Sequence, residues 1–366
     1  MNLSIRGIAP SAAFAAITTM AVISNALAAT VYTQTNSAAG NQIQIYGTST
    51  DGSLSLTDAV ATGGLGTDGG LGNQGAIALT EGGRWLLAVN AGSNEVSSFA
   101  ISARGLALID KAGSGGTQPV SLTIHDHTVY VLNSGGSGNI SGLHLSWDGH
   151  LKAIPNSTRP LSSQTAGAAE VAFDRNGDAL VVTEKATGKL SVYSVDDGLA
   201  AGPAVFSSSG ATPFGFAFDR HNHVLVSEAF GGAAGASAIS SYDLDEDPIS
   251  LESISASIPA HQSAACWVVL ARHGRFAYIT NTGSGTISGF KVDRRGALTP
   301  LNADGLTGIA GGNPLDAAVG RDERTLYVLS PSIGKIVEFR VGADGSVTNV
   351  GSALGVPLSA TGLVAQ

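Results

Sequence analysis

Little in this chain carries charge, and little of it is chemically reactive. It holds a single cysteine, Cys266, so no intramolecular disulfide can form. Charged residues are 13% of the chain and aromatic residues 6%, the net charge is −9, and no basic stripe runs through it. That balance speaks against a nucleic-acid partner. Beyond the first 28 residues no run is long and apolar enough to span a bilayer. Nothing matches a phosphate-cradling glycine loop, a serine nucleophile elbow or a zinc finger. What the chain has in quantity is glycine, 49 residues of it, which suits an all-β chain with many tight turns.

Residues 1–28 read as a secretion address. Arg6 gives a positive start, an Ala-rich apolar run follows, and Ala26-Leu27-Ala28 fits the small-x-small cleavage pattern. The expectation is an exported protein, periplasmic or secreted, whose mature chain is residues 29–366. It has no membrane span after cleavage and is a monomer. Without disulfides, sheet packing must hold the fold in an oxidising compartment. Cys266 sits in the apolar stretch Ala265-Cys266-Trp267-Val268-Val269 with no basic neighbour in sequence. A buried, inert thiol is the reading there.

One phrase recurs along the chain. Arg275-Phe276-Ala277-Tyr278-Ile279-Thr280-Asn281 is followed by a Gly/Ser turn and a second alternating strand. Trp85-Leu86-Leu87-Ala88-Val89-Asn90 and Val129-Tyr130-Val131-Leu132-Asn133 repeat it. Variants end in Glu184, Glu228 and Ser330. Recurrence at roughly 40–50 residues marks propeller blades of four short strands. Six full units fall at about 75–116, 119–161, 169–210, 213–258, 265–308 and 314–355. The first unit has only three strands of its own, and residues 360–366 supply the fourth. The prediction is therefore an all-β, seven-bladed β-propeller closed by pairing of the N- and C-terminal strands, which removes the open edges of the ring.

Naming the strands of each blade A to D from the axis outward sorts the chemistry by face. The B–C and D–A loops share one face, the top, while the A–B and C–D turns share the bottom. Of eight histidines, His125, His127, His221, His223 and His273 fall in bottom turns, and only His261 lies in a top loop. No metal is assigned to these residues, and no cofactor, although a divalent metal in the central channel stays open. The top collects Asn36, Asn90, Asn133, Glu184, Glu228 and Asn281 at strand-B ends. Gln118, Asn313 and His261 lie in D–A loops, and Glu170 and Asp316 at the entries to A strands. Amides around a channel mouth suit a polar, hydroxylated small molecule, which is the expected partner. Carboxylates on neighbouring blades can raise one another's pKa and act as acid or base. Glu170, Glu184 and Glu228, with His261, are the catalytic candidates. Asn36, Asn90, Gln118, Asn133, Asn281, Asn313 and Asp316 are the binding candidates. A second reading applies to the asparagines, since Asn before a Gly/Ser turn also caps its own backbone. Two top loops, 61–74 and 230–238, are long enough to cover the mouth. The acidic run Asp243-Leu244-Asp245-Glu246-Asp247 reads as a solvated turn.

The phrases Tyr278-Ile279-Thr280-Asn281, Tyr130-Val131-Leu132-Asn133 and Leu87-Ala88-Val89-Asn90 resemble those of the lactonase-family seven-bladed propellers. That group includes 6-phosphogluconolactonase, the fungal carboxymuconate cyclases and the YVTN-repeat proteins. The likeness covers residues 31–366. It implies a hydrolase or cycloisomerase acting on a lactone at the channel mouth. The family's Pro-x-His segments at strand-A entries are here Gln118-Pro119-Val120-Ser121, Ala168-Ala169-Glu170, Pro213-Phe214-Gly215 and Asn313-Pro314-Leu315-Asp316, in which the histidines are gone. With no basic residue evident on the top face, an unphosphorylated lactone is the expected substrate. The alternative is a non-catalytic periplasmic or surface binding propeller.

Overall fold

The computed structural model describes Met1, residues 29–49 and residues 52–366. The expected secretion address, and Asp51 of the first hairpin turn, lie outside the described residues. Seven antiparallel sheets follow one another along the chain, each of four principal strands in the order A-B-C-D. Apolar runs of three to seven residues make the inner strands, and Gly-containing turns reverse them. In blades three and six strand D is split, into Leu151–Ala153 with Arg159–Pro160 and Leu298–Pro300 with Gly308–Ile309. A hydroxyl takes over the ladder at each break: Ser157 Oγ accepts from Gly142 N at 2.9 Å, and Thr307 Oγ1 accepts from Gly289 N at 2.8 Å.

The ring closes as the sequence predicts. The C-terminal strand Thr361–Ala365 is the inner strand of blade one and pairs antiparallel with Thr30–Gln34, Val31 opposite Ala365 and Tyr32 opposite Val364. Thr30 and Gln366 exchange both main-chain hydrogen bonds, at 2.8 and 2.9 Å. Among the described residues every inner strand belongs to a blade.

The apolar core lies in the seams between blades. Tyr130 and Leu132 of blade three pack against Val171, Leu180 and Val182 of blade four, and each of the other six seams carries a comparable cluster. The C–D turns explain why glycine recurs there. Gly149 has φ +92°, and a Cβ on it would stand 2.4 Å from the Trp85 ring of the preceding blade. Gly345 repeats this against Phe276, with φ +89° and 2.6 Å. At these turns the sequence must supply a left-handed residue without a side chain. Among the described residues no helix is long and apolar enough to cross a membrane.

Candidate functional site

An eighth apolar cluster lies on the axis: Ala169, Phe214, Ala229, Cys266 and Trp267, with Leu315 against it. All belong to strand-A entries or the loops beside them. They narrow the top of the channel, and the D–A crossover from blade one to blade two closes it. That crossover leaves the rim and runs across the ring. Asn36 anchors its start, donating Nδ2 to Thr67 Oγ1 at 3.0 Å and to the Gly69 carbonyl at 2.6 Å. Further in, the Asn73 carbonyl accepts from Trp267 Nε1 at 2.7 Å, and Asn73 Nδ2 donates to the Val120 carbonyl. The Gln74 amide pairs with the main chain of Val268, and its nitrogen also reaches the Phe216 carbonyl at 3.4 Å. Gln74 N donates to the Ala169 carbonyl at 3.1 Å. The strap thus ties blades three, four, five and six together across the axis.

Two carboxyls lie on the inner strands of the ring. Glu170, from the inner strand of blade four, is 6% exposed, and Asp316, from that of blade seven, is 4% exposed. Glu170 Oε2 accepts from Phe216 N at 2.6 Å, and Asp316 Oδ1 from Ala317 N at 2.8 Å. Burial pushes Glu170 well above the usual carboxylate range; the Phe216 N–H works against this, and the charge of Asp316 adds to it. Burial likewise pushes Asp316 well up, against backbone hydrogen bonds from Ala317 and Leu363. No described ion pair involves either group. With no cation beside them, burying these two groups in their charged form is expensive.

The other sequence-derived candidates are placed differently. Glu184 is fully buried in blade four, where its carboxylate accepts from Ser162 N at 2.9 Å, Ser191 Oγ at 2.7 Å, Thr187 Oγ1 at 2.9 Å and Ser162 Oγ. Glu228, also fully buried, accepts from Gly210 N at 2.7 Å and from the Ser240 hydroxyl, while its Oε2 has no partner. The charge acting on Glu170 is that of Asp316, a binding candidate by sequence, rather than that of Glu184 or Glu228.

The strand-end asparagines follow the same scheme. Asn90 donates to Ser97 Oγ at 2.8 Å and accepts from Thr62 Oγ1 at 2.7 Å. Asn133 donates to Asn139 Oδ1 at 2.9 Å and to the Ser114 carbonyl at 3.2 Å. Asn281 donates to Ser288 Oγ at 2.9 Å. In blades two to six the last residue of strand B reaches a serine on strand C and, in Asn90, Asn133, Glu184 and Glu228, the crossover that enters its own blade. Asn36 departs from this register: strand B of blade one ends at Gln34, and Asn36 sits two residues on with φ +49°. Gln118, Asn313 and His261 are exposed in D–A crossovers. Gln118 O accepts from Ser134 N at 3.0 Å, and Asn313 Nδ2 donates to the Thr282 carbonyl at 3.0 Å.

One residue escaped the sequence reading. Lys185, next after Glu184, turns inward at the mouth. Its Nζ donates to the Gly72 carbonyl of the strap and stands 4.7 Å from the Phe214 ring centroid. Burial lowers its pKa, and the neighbouring Cys266 acts in the opposite sense. Burial pushes the Cys266 thiol up to about 11, so it is protonated at neutral pH. The expectation of a top face without a basic residue is corrected here. A cation one position past a buried acid is not distinguishable in sequence from a solvated turn residue.

On the bottom face, the acidic run is exposed at Asp243, Asp245 and Asp247, and Glu246 is half-buried. Glu246 accepts from Asn222 Nδ2 at 3.0 Å, and Asn222 Nδ2 also reaches Asp174 at 3.1 Å. Burial, together with the hydrogen bond and charge of Asp174, pushes Glu246 up to about 7. His223 Nδ1 lies 2.8 Å from Asp219 Oδ2. A cleft of about 240 Å³ opens between blades three and four, lined by His125, Asp126, Phe173, Asp178 and Asp197 among others. Among the described residues no group of three or more His, Cys, Asp or Glu is placed to hold a metal.

Solved structures share this architecture. A periplasmic gluconolactonase of Pseudomonas aeruginosa is 17% identical, with TM-score 0.67, over 92% of this chain and 98% of that one. A provisionally assigned 6-phosphogluconolactonase of Bacteroides uniformis is 15% identical, with TM-score 0.71, over 91% and 98%. A protein of Lactobacillus plantarum is 17% identical, with TM-score 0.73, over 93% and 99%. At these identities the likeness is one of fold. No protein-family model and no curated protein matches the sequence.

Proposed function

We propose that this protein is an exported lactonase-type hydrolase whose acid–base pair is Glu170 and Asp316. The observation that carries the reading is the placement of two buried carboxyls on inner strands of one ring, each pushed by burial well above the usual carboxylate range. With the charge of Asp316 acting on Glu170, the two do not ionise together. Over a pH window one is therefore a carboxylate and the other a carboxylic acid. The carboxylate takes a proton from a water as its oxygen bonds to the lactone carbonyl carbon. The acid gives its proton to the ring oxygen as the acyl C–O bond breaks. Lactone and water become a hydroxy acid, and the pair keeps one proton. The lactonases and gluconolactonase among the structures of this architecture support the substrate class, since the fold alone licenses none. Glu184 holds the blade that carries Glu170. A ligand reaches the pair once the 62–75 strap shifts.

The test is hydrolysis of unphosphorylated sugar γ- and δ-lactones by residues 29–366, followed as acid release at constant pH. The reading expects turnover above the spontaneous rate and a loss of about a hundredfold or more in kcat for Glu170→Gln. No turnover across the panel would favour the second reading, a binding propeller. One observation speaks for that second reading: the strap already satisfies the main chain around the axis.

A further inference from the structure

We propose that Lys185 is an anion anchor at the channel mouth, taking the carboxylate of a hydroxylated sugar-acid ligand. The proposal rests on the reading of the channel as a small-molecule site. The position after each strand-B end is occupied around the ring by Thr35, Ala91, Ser134, Lys185, Ala229, Thr282 and Pro331. One of the seven is a cation. The architecture itself asks only for a small residue or a short hydroxyl there: Ser134 Oγ donates to the Gln118 carbonyl at 3.1 Å, and Thr282 Oγ1 to the Pro314 carbonyl at 2.8 Å.

A lysine in this place buries most of an ammonium group, which is costly unless an anion compensates it. None of the described ion pairs includes Lys185. Its partners are the neutral Gly72 carbonyl and the face of Phe214. An ammonium has three donors, and one is used. Cys266 does not act as counter-ion, because its thiol holds its proton. The strap makes room for the head group with a glycine: Gly72 has φ +59°, and a Cβ there would stand 3.1 Å from Nζ. The result is a half-enclosed cation at the mouth with free donors and an aromatic wall. An oxyanion on a small hydroxylated molecule completes it, and hydrolysis of a lactone generates a carboxylate of that kind.

The test is calorimetric titration of residues 29–366 with D-gluconate, inorganic phosphate and neutral sorbitol. We expect gluconate to bind, sorbitol not to bind, and Lys185→Met to weaken gluconate by about tenfold or more. Lys185→Arg retains part of the affinity, and Lys152→Met, at an exposed site, changes nothing. Phosphate bound through Lys185 in place of gluconate would overturn the carboxylate assignment. Gluconate affinity unchanged in a folded Lys185→Met variant would overturn the anchor altogether. Because the readout is binding, it stands apart from turnover. Gluconate held through Lys185 without any lactone hydrolysis would sink the hydrolase reading and leave the anchor in place.

Discussion

Gln74 and Val268, 194 residues apart, are paired as two residues of adjacent strands are paired: Oε1 accepts from Val268 N at 3.0 Å and Nε2 donates to Val268 O at 3.0 Å. A side-chain amide thereby caps the inner edge of blade six from the far side of the channel. Gln74→Ala leaves both main-chain groups of Val268 in need of water. At about 1–3 kcal/mol for a buried group left unpaired, the melting temperature falls, and the Val268 amide exchanges faster with solvent. Gly215→Ala has the same effect by another route, since its Cβ would lie 2.1 Å from Gln74 Oε1 and 2.5 Å from the Cys266 carbonyl. Unchanged exchange at Val268 in Gln74→Ala would contradict this account of the strap.

The acid pair makes stability depend on pH in a direction opposite to that of most carboxylates. Glu170 and Asp316 have folded-state pKa values raised above their unfolded ones. Their contribution is fully present below the unfolded carboxylate range, about pH 4, and is lost as pH rises towards the folded values. Glu246, raised to about 7, adds a loss between about pH 4.5 and 7. We expect the melting temperature to decline from pH 5 upwards, and the decline to shrink in Glu170→Gln and in Asp316→Asn. A wild-type curve flat from pH 5 to 9 would contradict the assignment.

Glu184 offers a contrast between holding the fold and performing chemistry. Its carboxylate accepts from four donors, among them Ser162 N and Ser191 Oγ. Glu184→Ala is expected to cost about 1–3 kcal/mol for each buried donor left without an acceptor, and so to unfold the protein early in denaturant. Asn90→Ala follows on a smaller scale through Ser97 and Thr62. Denaturant midpoints check both. A Glu184→Ala variant as stable as the parent would contradict the structural role described here.

The ring was legible from the sequence because each blade states its own strands. The phrase from Phe276 to Asn281 is a strand that must bury both faces, and Gly149 and Gly345 mark turns that only glycine completes. The missing strand of blade one was likewise visible at Thr361–Ala365. The site was less so. Asn90, Glu184 and Glu228 look alike in sequence to residues that would line a mouth, yet the register of strand B turns them between strands. Asp316 and Glu170 stand 146 positions apart, and nothing local couples them. The strap was legible only as a loop, 61–74, long enough to cover the mouth: the partners of Asn73 and Gln74 lie on inner strands far along the chain, and a Gly-rich stretch looks the same whether it crosses an axis or hangs in solvent.

The acid pair is tested most directly by a double-mutant cycle on lactone hydrolysis, comparing the parent with Glu170→Gln, Asp316→Asn and the combination. If one group is the base and the other the acid of a single step, each single variant loses about a hundredfold or more, and the double loses little beyond either. Losses that multiply, or singles that keep the parent rate while remaining folded, would show that the two carboxyls do not act as one unit.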